Sequence, residues 1–159
     1  MNSREESLQT IKQLGSTLNL PDFSRVVLAV VRDQVSADRG ALFVVDNAKG
    51  EVRSIVADRV VGDISLPIGF GIAGAVAQTG QVIDTYNPQY DQHYDAKYEA
   101  LLNYDTNDIY CMPVLSESGV IVGVLELLNR KRPFTPEDHQ FLNQVTRHLG
   151  PILEKALSA

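Results

Sequence analysis

Apolar and polar positions recur with two different periods along this chain, and each change of period marks an element. Residues 2–18 carry Leu8, Ile11, Leu14 and Leu18 at helical spacing with polar residues on every other side. A stripe this narrow suits a partner helix better than a broad core. Asn19-Leu20-Pro21-Asp22 breaks and restarts the helix, since proline is tolerated in a first turn. Phe23, Val26, Val27, Val30 and Val31 then form a wider apolar face on a second helix, expected to end within residues 36–38. Strand-like runs follow: 41–46 and 52–57, joined by Asn47-Ala48-Lys49-Gly50 as a hairpin, and a short third strand at 64–68. Residues 72–79 read as a short helix and 82–84 as a short strand.

Residues 85–103 break the pattern. They are polar and tyrosine-rich, with Tyr86, Tyr90, Tyr94 and Tyr98 inside the segment and Tyr104 just beyond. Long segments of this kind in compact domains are usually functional or mobile, and this one is expected to cover a ligand site. Two strands follow, 109–115 and 120–128, around a Ser116-Glu117-Ser118-Gly119 turn. The second is apolar on both faces, which predicts a central place in the sheet. Glu126 is its exception, on the face expected to hold Val120, Val122, Val124 and Leu128; a carboxylate there needs a partner or the strand's solvent end. Thr135-Pro136-Glu137-Asp138 starts a last helix, with Phe141, Leu142, Val145, Leu149, Ile152, Leu153 and Ala156 in one stripe and a kink expected at Gly150-Pro151. The sum is an α+β fold: a central, mostly antiparallel six-stranded sheet, helices on one side, and long terminal helices.

The stretch 66–81 carries the candidate chemistry. Gly69, Gly71 and Gly74 precede or open a helix that stops at Gly80. The first N–H groups of such a helix lack internal partners and favour an anion, so Gly71, Ile72 and Ala73 are candidate backbone donors to a phosphate or carboxylate. The literal G-x-G-x-x-G match is not a dinucleotide fingerprint, because that needs a parallel βαβ unit and a longer helix.

Composition narrows the rest. A chain of 159 residues, 44% hydrophobic and 21% charged, is long enough for one domain with a real core. The net charge of −6 disfavours nucleic acid or an anionic membrane as partner. No apolar run approaches the ~20 residues of a membrane span, and the first residues do not read as a signal peptide; a cytoplasmic location is expected. Cys111 is the single cysteine, which excludes an internal disulfide or a CxxC pair, and His93, His139 and His148 lack metal-ligand spacing. No cofactor and no catalytic constellation is expected.

Four blocks together resemble a GAF domain, specifically the cyclic-nucleotide-binding subset of phosphodiesterases and bacterial adenylyl cyclases: Gly40-Ala41-Leu42-Phe43-Val44-Val45-Asp46; Gly71-Ile72-Ala73-Gly74-Ala75-Val76-Ala77-Gln78-Thr79-Gly80; Tyr104-Asp105-Thr106 with Ile109-Tyr110-Cys111-Met112-Pro113-Val114; and Gly123-Val124-Leu125-Glu126-Leu127-Leu128-Asn129-Arg130. The resemblance implies a regulatory small-molecule sensor, not an enzyme. It would bind cyclic GMP or cyclic AMP and signal through its terminal helices to an effector domain, with residues 1–18 as a dimerisation helix and 19–159 as the GAF domain. It also implies that the cyclic phosphate meets the backbone at Ile72 and Ala73, with Asp58, Glu99, Thr106 and Glu126 around the ligand. Asp58, if it points inward, would favour guanine, whose N1–H and N2–H suit a carboxylate acceptor. Ala41, Ala57 and Leu102 stand where family binders carry Ser, an aromatic ring and Thr. That leaves open the alternative of a homodimeric, signal-transmitting module without a nucleotide.

Overall fold

The computed structural model describes residues 3–60, 62–102 and 105–158, and the side chain of Leu102 lies outside that description. Tyr104, part of the third block above, also lies outside it. The elements run in chain order as helix α1 (Ser3–Leu14), helix α2 (Leu20–Val35), strands β1 (Ala37–Asp46), β2 (Glu51–Ala57) and β3 (Ser65–Pro67), helix α3 (Gly71–Thr79), strand β4 (Ile83–Thr85), helix α4 (Ala96–Glu99), strands β5 (Ile109–Leu115) and β6 (Ile121–Arg130), and helix α5 (Pro136–Ser158). Short 3-10 turns at Pro88–Tyr90 and Ala100–Leu102 flank α4.

The strands form one sheet in the order β3-β2-β1-β6-β5-β4, with every neighbouring pair antiparallel. β6 is central, as its two apolar faces predict. The three long helices share one face. They enclose Phe23, Val27, Leu28, Val31, Leu42, Tyr110, Met112, Leu125, Leu127, Phe141, Leu142 and Leu149. The short helix α3 lies on the opposite face, over Ala41, Phe43, Val45, Ile109, Cys111, Val124 and Leu128.

Local chemistry explains the helix ends. Asn19 caps α2 by accepting from the Asp22 N–H at 2.9 Å, ahead of which Pro21 sits in the first turn. Thr135 and Asp138 cap α5 reciprocally: Thr135 Oγ1 accepts from the Asp138 N–H at 3.1 Å, and Asp138 Oδ2 from the Thr135 N–H at 2.7 Å. α5 continues through Gly150-Pro151 as one helix of 23 residues. Gly150 is required for packing there, since a Cβ would stand 2.1 Å from the Leu115 carbonyl oxygen.

The N-terminal stripe divides. Ile11 is fully buried in the core shared with α2 and α5, Leu8 and Leu14 pack against that core, and Leu18 stays 37% exposed. Arg4 fastens the helix at its other end. Its guanidinium pairs with Asp138 and donates to the Gln34 carbonyl oxygen at 2.7 Å, where α2 ends. Burial would raise the Asp138 carboxyl, but Arg132, the Thr135 N–H and Arg4 outweigh it and hold the group well below the usual carboxylate range.

One irregularity matters for the site. The β5–β6 register shifts between Val114 and Leu115, a bulge that turns Val122 to the face of the long helices. Glu126 therefore shares the α3 face with Val124 and Leu128 but not with Val122. It lies in mid-strand, 1% exposed, rather than at a solvent end.

Candidate functional site

The amino end of α3 is built for close approach. Its cap residue, Phe70, has extended backbone and makes no side-chain capping bond, so the first N–H groups are not satisfied by the usual Ser, Thr, Asp or Asn. Gly71 has φ +70°, and a Cβ there would lie 3.2 Å from the Cβ of Tyr98. All residues from Gly71 to Ala77 are buried. That burial comes from strands β6, β5, β2 and β3 of the sheet and from α4, all of which touch α3.

Glu99, the last residue of α4, is the contact between that cover and α3. Its Oε1 accepts from the Ile72 N–H at 3.1 Å, and its Oε2 accepts from the Asp95 N–H at 2.9 Å. Asp95 itself caps α4 by accepting from the Lys97 N–H at 3.0 Å. Tyr98 meets Phe70 edge to face, with ring centroids 6.2 Å apart. Burial pushes the Glu99 carboxyl up, and the backbone donors of Asp95 and Ile72 work against that shift.

Beneath α3 sits Glu126, paired across β5 with Cys111 and across β1 with Ala41. Its Oε2 has no hydrogen-bond partner among the described residues. Burial first, and the nearby Glu99 second, raise its carboxyl to about 8, against a lowering contact with the Cys111 thiol. The shift favours the protonated carboxyl at neutral pH, on the sheet face that α3 covers. The thiol of Cys111 is raised in turn, by burial and then by Glu126.

Gly71, Ile72 and Ala73 therefore stand with Glu99 at one helix end, and Glu126 lies near enough to Glu99 for the two carboxyls to interact. Thr106 lies half-buried in the stretch before β5. That stretch is pinned by Asn129, whose Oδ1 accepts from the Asn107 and Asp108 N–H groups and whose Nδ2 donates to the Asp105 carbonyl oxygen. Asp58 does not join them. Its Oδ2 accepts from the Gly40 N–H at 2.8 Å and pairs with Arg32 Nε of α2 at 3.1 Å. The carboxylate is thus engaged by a backbone donor and by a cation on another element.

A second cluster gathers around Arg130, the last residue of β6. The Arg130 guanidinium, 1% exposed, bridges Asp84 and Asp108. It is stacked by Tyr86 at 4.4 Å, Phe134 at 4.8 Å and Tyr110 at 5.6 Å from the ring centroids. Tyr86 thereby anchors the start of the tyrosine-rich segment, whose later members Tyr94 and Tyr98 pack on the α3 core while Tyr90 is 84% exposed. Sequence reasoning marks Asn129 and Arg130 as one family block but does not join Arg130 to Asp84, Asp108 or the three rings. Nothing in their spacing announces a cage assembled from three separate segments.

The GAF domain family pattern matches residues 19–153. The chain belongs to the GAF domain family. Among relatives, it is 28% identical over 171 aligned positions to the dual 3',5'-cyclic-AMP and -GMP phosphodiesterase 11A of Takifugu rubripes, covering 98% of this chain and 19% of that protein. It is also 28% identical over 145 positions to the cGMP-specific 3',5'-cyclic phosphodiesterase of Drosophila ananassae, covering 82% of this chain and 12% of that protein. The chain thus spans a fifth or less of these relatives, and what it matches in them is their GAF part, a regulatory sensor domain rather than a catalytic one. The fold is shared with the GAF domain of a phosphoenolpyruvate-protein phosphotransferase from Coxiella burnetii, at a TM-score of 0.81 and 21% identity over 98% of this chain and 95% of that one. It is shared as well with a free methionine-R-sulfoxide reductase from Neisseria meningitidis, at 0.71 and 17% over 98% and 88%. Among the described residues no helix is long and apolar enough to cross a membrane.

Proposed function

We propose that this GAF domain is a cytoplasmic regulatory sensor that takes a cyclic nucleotide, cyclic GMP or cyclic AMP, at the amino end of α3. The observation that supports the reading is the glycine-shaped helix end whose Ile72 N–H already holds a carboxylate, with the buried Glu126 nearby, one oxygen of which has no partner among the described residues. Backbone donors at such an end suit a phosphate. Protonated Glu126 supplies a polar contact for the rest of the ligand, and Thr106 stands on the pinned stretch that ends beside β6. The GAF regions of cyclic-nucleotide phosphodiesterases as relatives support the same ligand class.

Titration calorimetry of both nucleotides against the whole chain tests the reading. Saturable binding is expected, weakened at least about tenfold by Gly71→Val, which puts a branched side chain at a positive φ and against Tyr98. No heat from either nucleotide at millimolar concentration would sink it.

The alternative, a signal-transmitting dimerisation module without nucleotide, draws on the fact that Glu99 satisfies Ile72 by itself. Both readings use the terminal helices as the output. Leu18, Leu20, Phe23, Ile152 and Ala156 line an apolar groove of about 270 Å³ where the ends of α1 and α5 meet, and we place a homodimer contact there. Deleting residues 1–18 would be a poor test, since it removes Ile11 from the core and Arg4 from Asp138. Light scattering should instead show a dimer for the parent chain and a monomer for Leu18→Glu combined with Ala156→Glu. A parent chain that is monomeric at all concentrations ends the dimer proposal.

A further inference from the structure

The Ile72 N–H of α3 is not open in this structure; the chain's own Glu99 carboxylate holds it. We propose that Glu99 is an internal competitor of the ligand: it latches α4 onto α3 while the domain is empty and must leave the Ile72 N–H when an anionic ligand binds. The inference rests on the proposed ligand site and deepens it, turning site occupancy into a defined movement of the cover.

Three observations carry it. Glu99 spends one oxygen on the Ile72 N–H of α3 and the other on the Asp95 N–H of its own cover. The carboxylate is thus the polar link by which residues 95–99 hold the helix end. Glu99 Oε1 stands 3.1 Å from the Ile72 nitrogen, so a phosphate oxygen cannot take the same N–H while Glu99 keeps this position, and Tyr98 crowds the neighbouring Gly71, where even a Cβ would lie 3.2 Å from it. Independently, Glu126 lies on the sheet face that α3 covers, with a buried oxygen that no described residue satisfies. An orphaned buried oxygen calls for an explanation, and a ligand group entering under the displaced cover supplies one.

The physical consequence is an exchange of one anion for another at a helix end. Glu99 and the ligand phosphate repel each other at that distance, so they occupy the seat alternately and not together. When Glu99 leaves, Tyr98 loses its position against Phe70, and the cover loses its polar tie to α3. The opposite end of the segment stays fastened, because Tyr86 remains stacked on Arg130. The motion is therefore a swing of the α4 end about a fixed start, not a detachment of the whole segment.

The test uses the intact chain with Glu99→Ala and Glu99→Gln. Amide exchange in the absence of ligand reads the latch alone: Ile72 and residues 95–99 should exchange faster in Glu99→Ala than in the parent, and unchanged exchange there overturns the latch. Calorimetry with cyclic GMP, cyclic AMP and inorganic phosphate reads the competition. A latch closed nine-tenths of the time lowers apparent affinity about tenfold, so Glu99→Ala should bind the nucleotide about tenfold tighter, with Glu99→Gln between the two. Weaker binding in Glu99→Ala would show that Glu99 contacts the ligand and would overturn the proposal while leaving the cyclic-nucleotide reading intact. Binding of no probe by parent or variant, with exchange accelerated, would leave a purely structural clasp and overturn both the competitor role and the ligand reading.

Discussion

Arg130→Ala is expected to cost about 3–5 kcal/mol of unfolding free energy, the scale of breaking a buried ion pair from one side. The substitution leaves Asp108, 8% exposed at its side chain, without its cation, and strips Tyr86, Tyr110 and Phe134 of the group they stack on. Arg130→Lys keeps the charge but not the planar fork that serves two carboxylates and three rings, so it should recover only part of the loss. Urea unfolding of the three proteins measures this. A cost under about 1 kcal/mol would mean that the cluster behaves as an ordinary surface pair. The same variant has a local signature: with Tyr86 released, hydrogen exchange in residues 85–90 should rise. Because Arg130 bridges β4 to the stretch before β5, it positions the frame in which Thr106 and the cover sit without touching the ligand seat.

Stability is expected to fall as pH rises from 5 to 8, and Glu126 is expected to be the main cause. Its carboxyl is raised from 4.5 to about 8 in the folded chain, by burial and then by Glu99. Between those values the folded state holds a proton that the unfolded state has released, so unfolding free energy decreases with pH. The favourable contribution is complete below about pH 4.5 and lost as pH passes about 8. The slope inside that window reaches about 1.4 kcal/mol per pH unit for one proton. Glu99, raised in the same direction, adds to it. Asp138, lowered by its arginines, has its effect at acid pH and stays out of the window. Glu126→Gln keeps the shape and removes the proton, so its stability should be flatter across pH 5–8 and higher than the parent's at pH 8. Denaturant unfolding at several pH values checks this; a Glu126→Gln profile with the parent's slope would show that the group does not titrate as described.

Much of this protein is written locally. The order of elements, the antiparallel sheet, the central place of β6, the short glycine-headed α3 and the capped start of α5 all follow from periodicity, capping residues and turn residues. Those signals act over a few residues, so they survive in a single sequence. The backbone part of the candidate site, Gly71 to Ala73, is legible for the same reason: a helix end and its glycines are neighbours in the chain.

What the tertiary structure decided is where distant side chains point. Continued from the Leu115–Ile121 pair without interruption, the hairpin register would set Cys111 opposite Leu125; one bulge sets it opposite Glu126 and sends Val122 to the other face. A one-residue shift reverses every side chain of a strand, and nothing in the sequence of the turn announces it. The fate of Asp58 depended on Arg32, 26 positions earlier, and that of Glu99 on Ile72, 27 positions earlier. Both acids stand on covering or edge segments whose docking is fixed by competition among partners. Ile11 shows the same limit in the core, because a stripe of four residues is too sparse to declare whether it meets its own domain or a second copy. Helix and strand identities are short-range properties. Pairing of charges across the fold is a global one, decided only when all the alternatives are brought within reach.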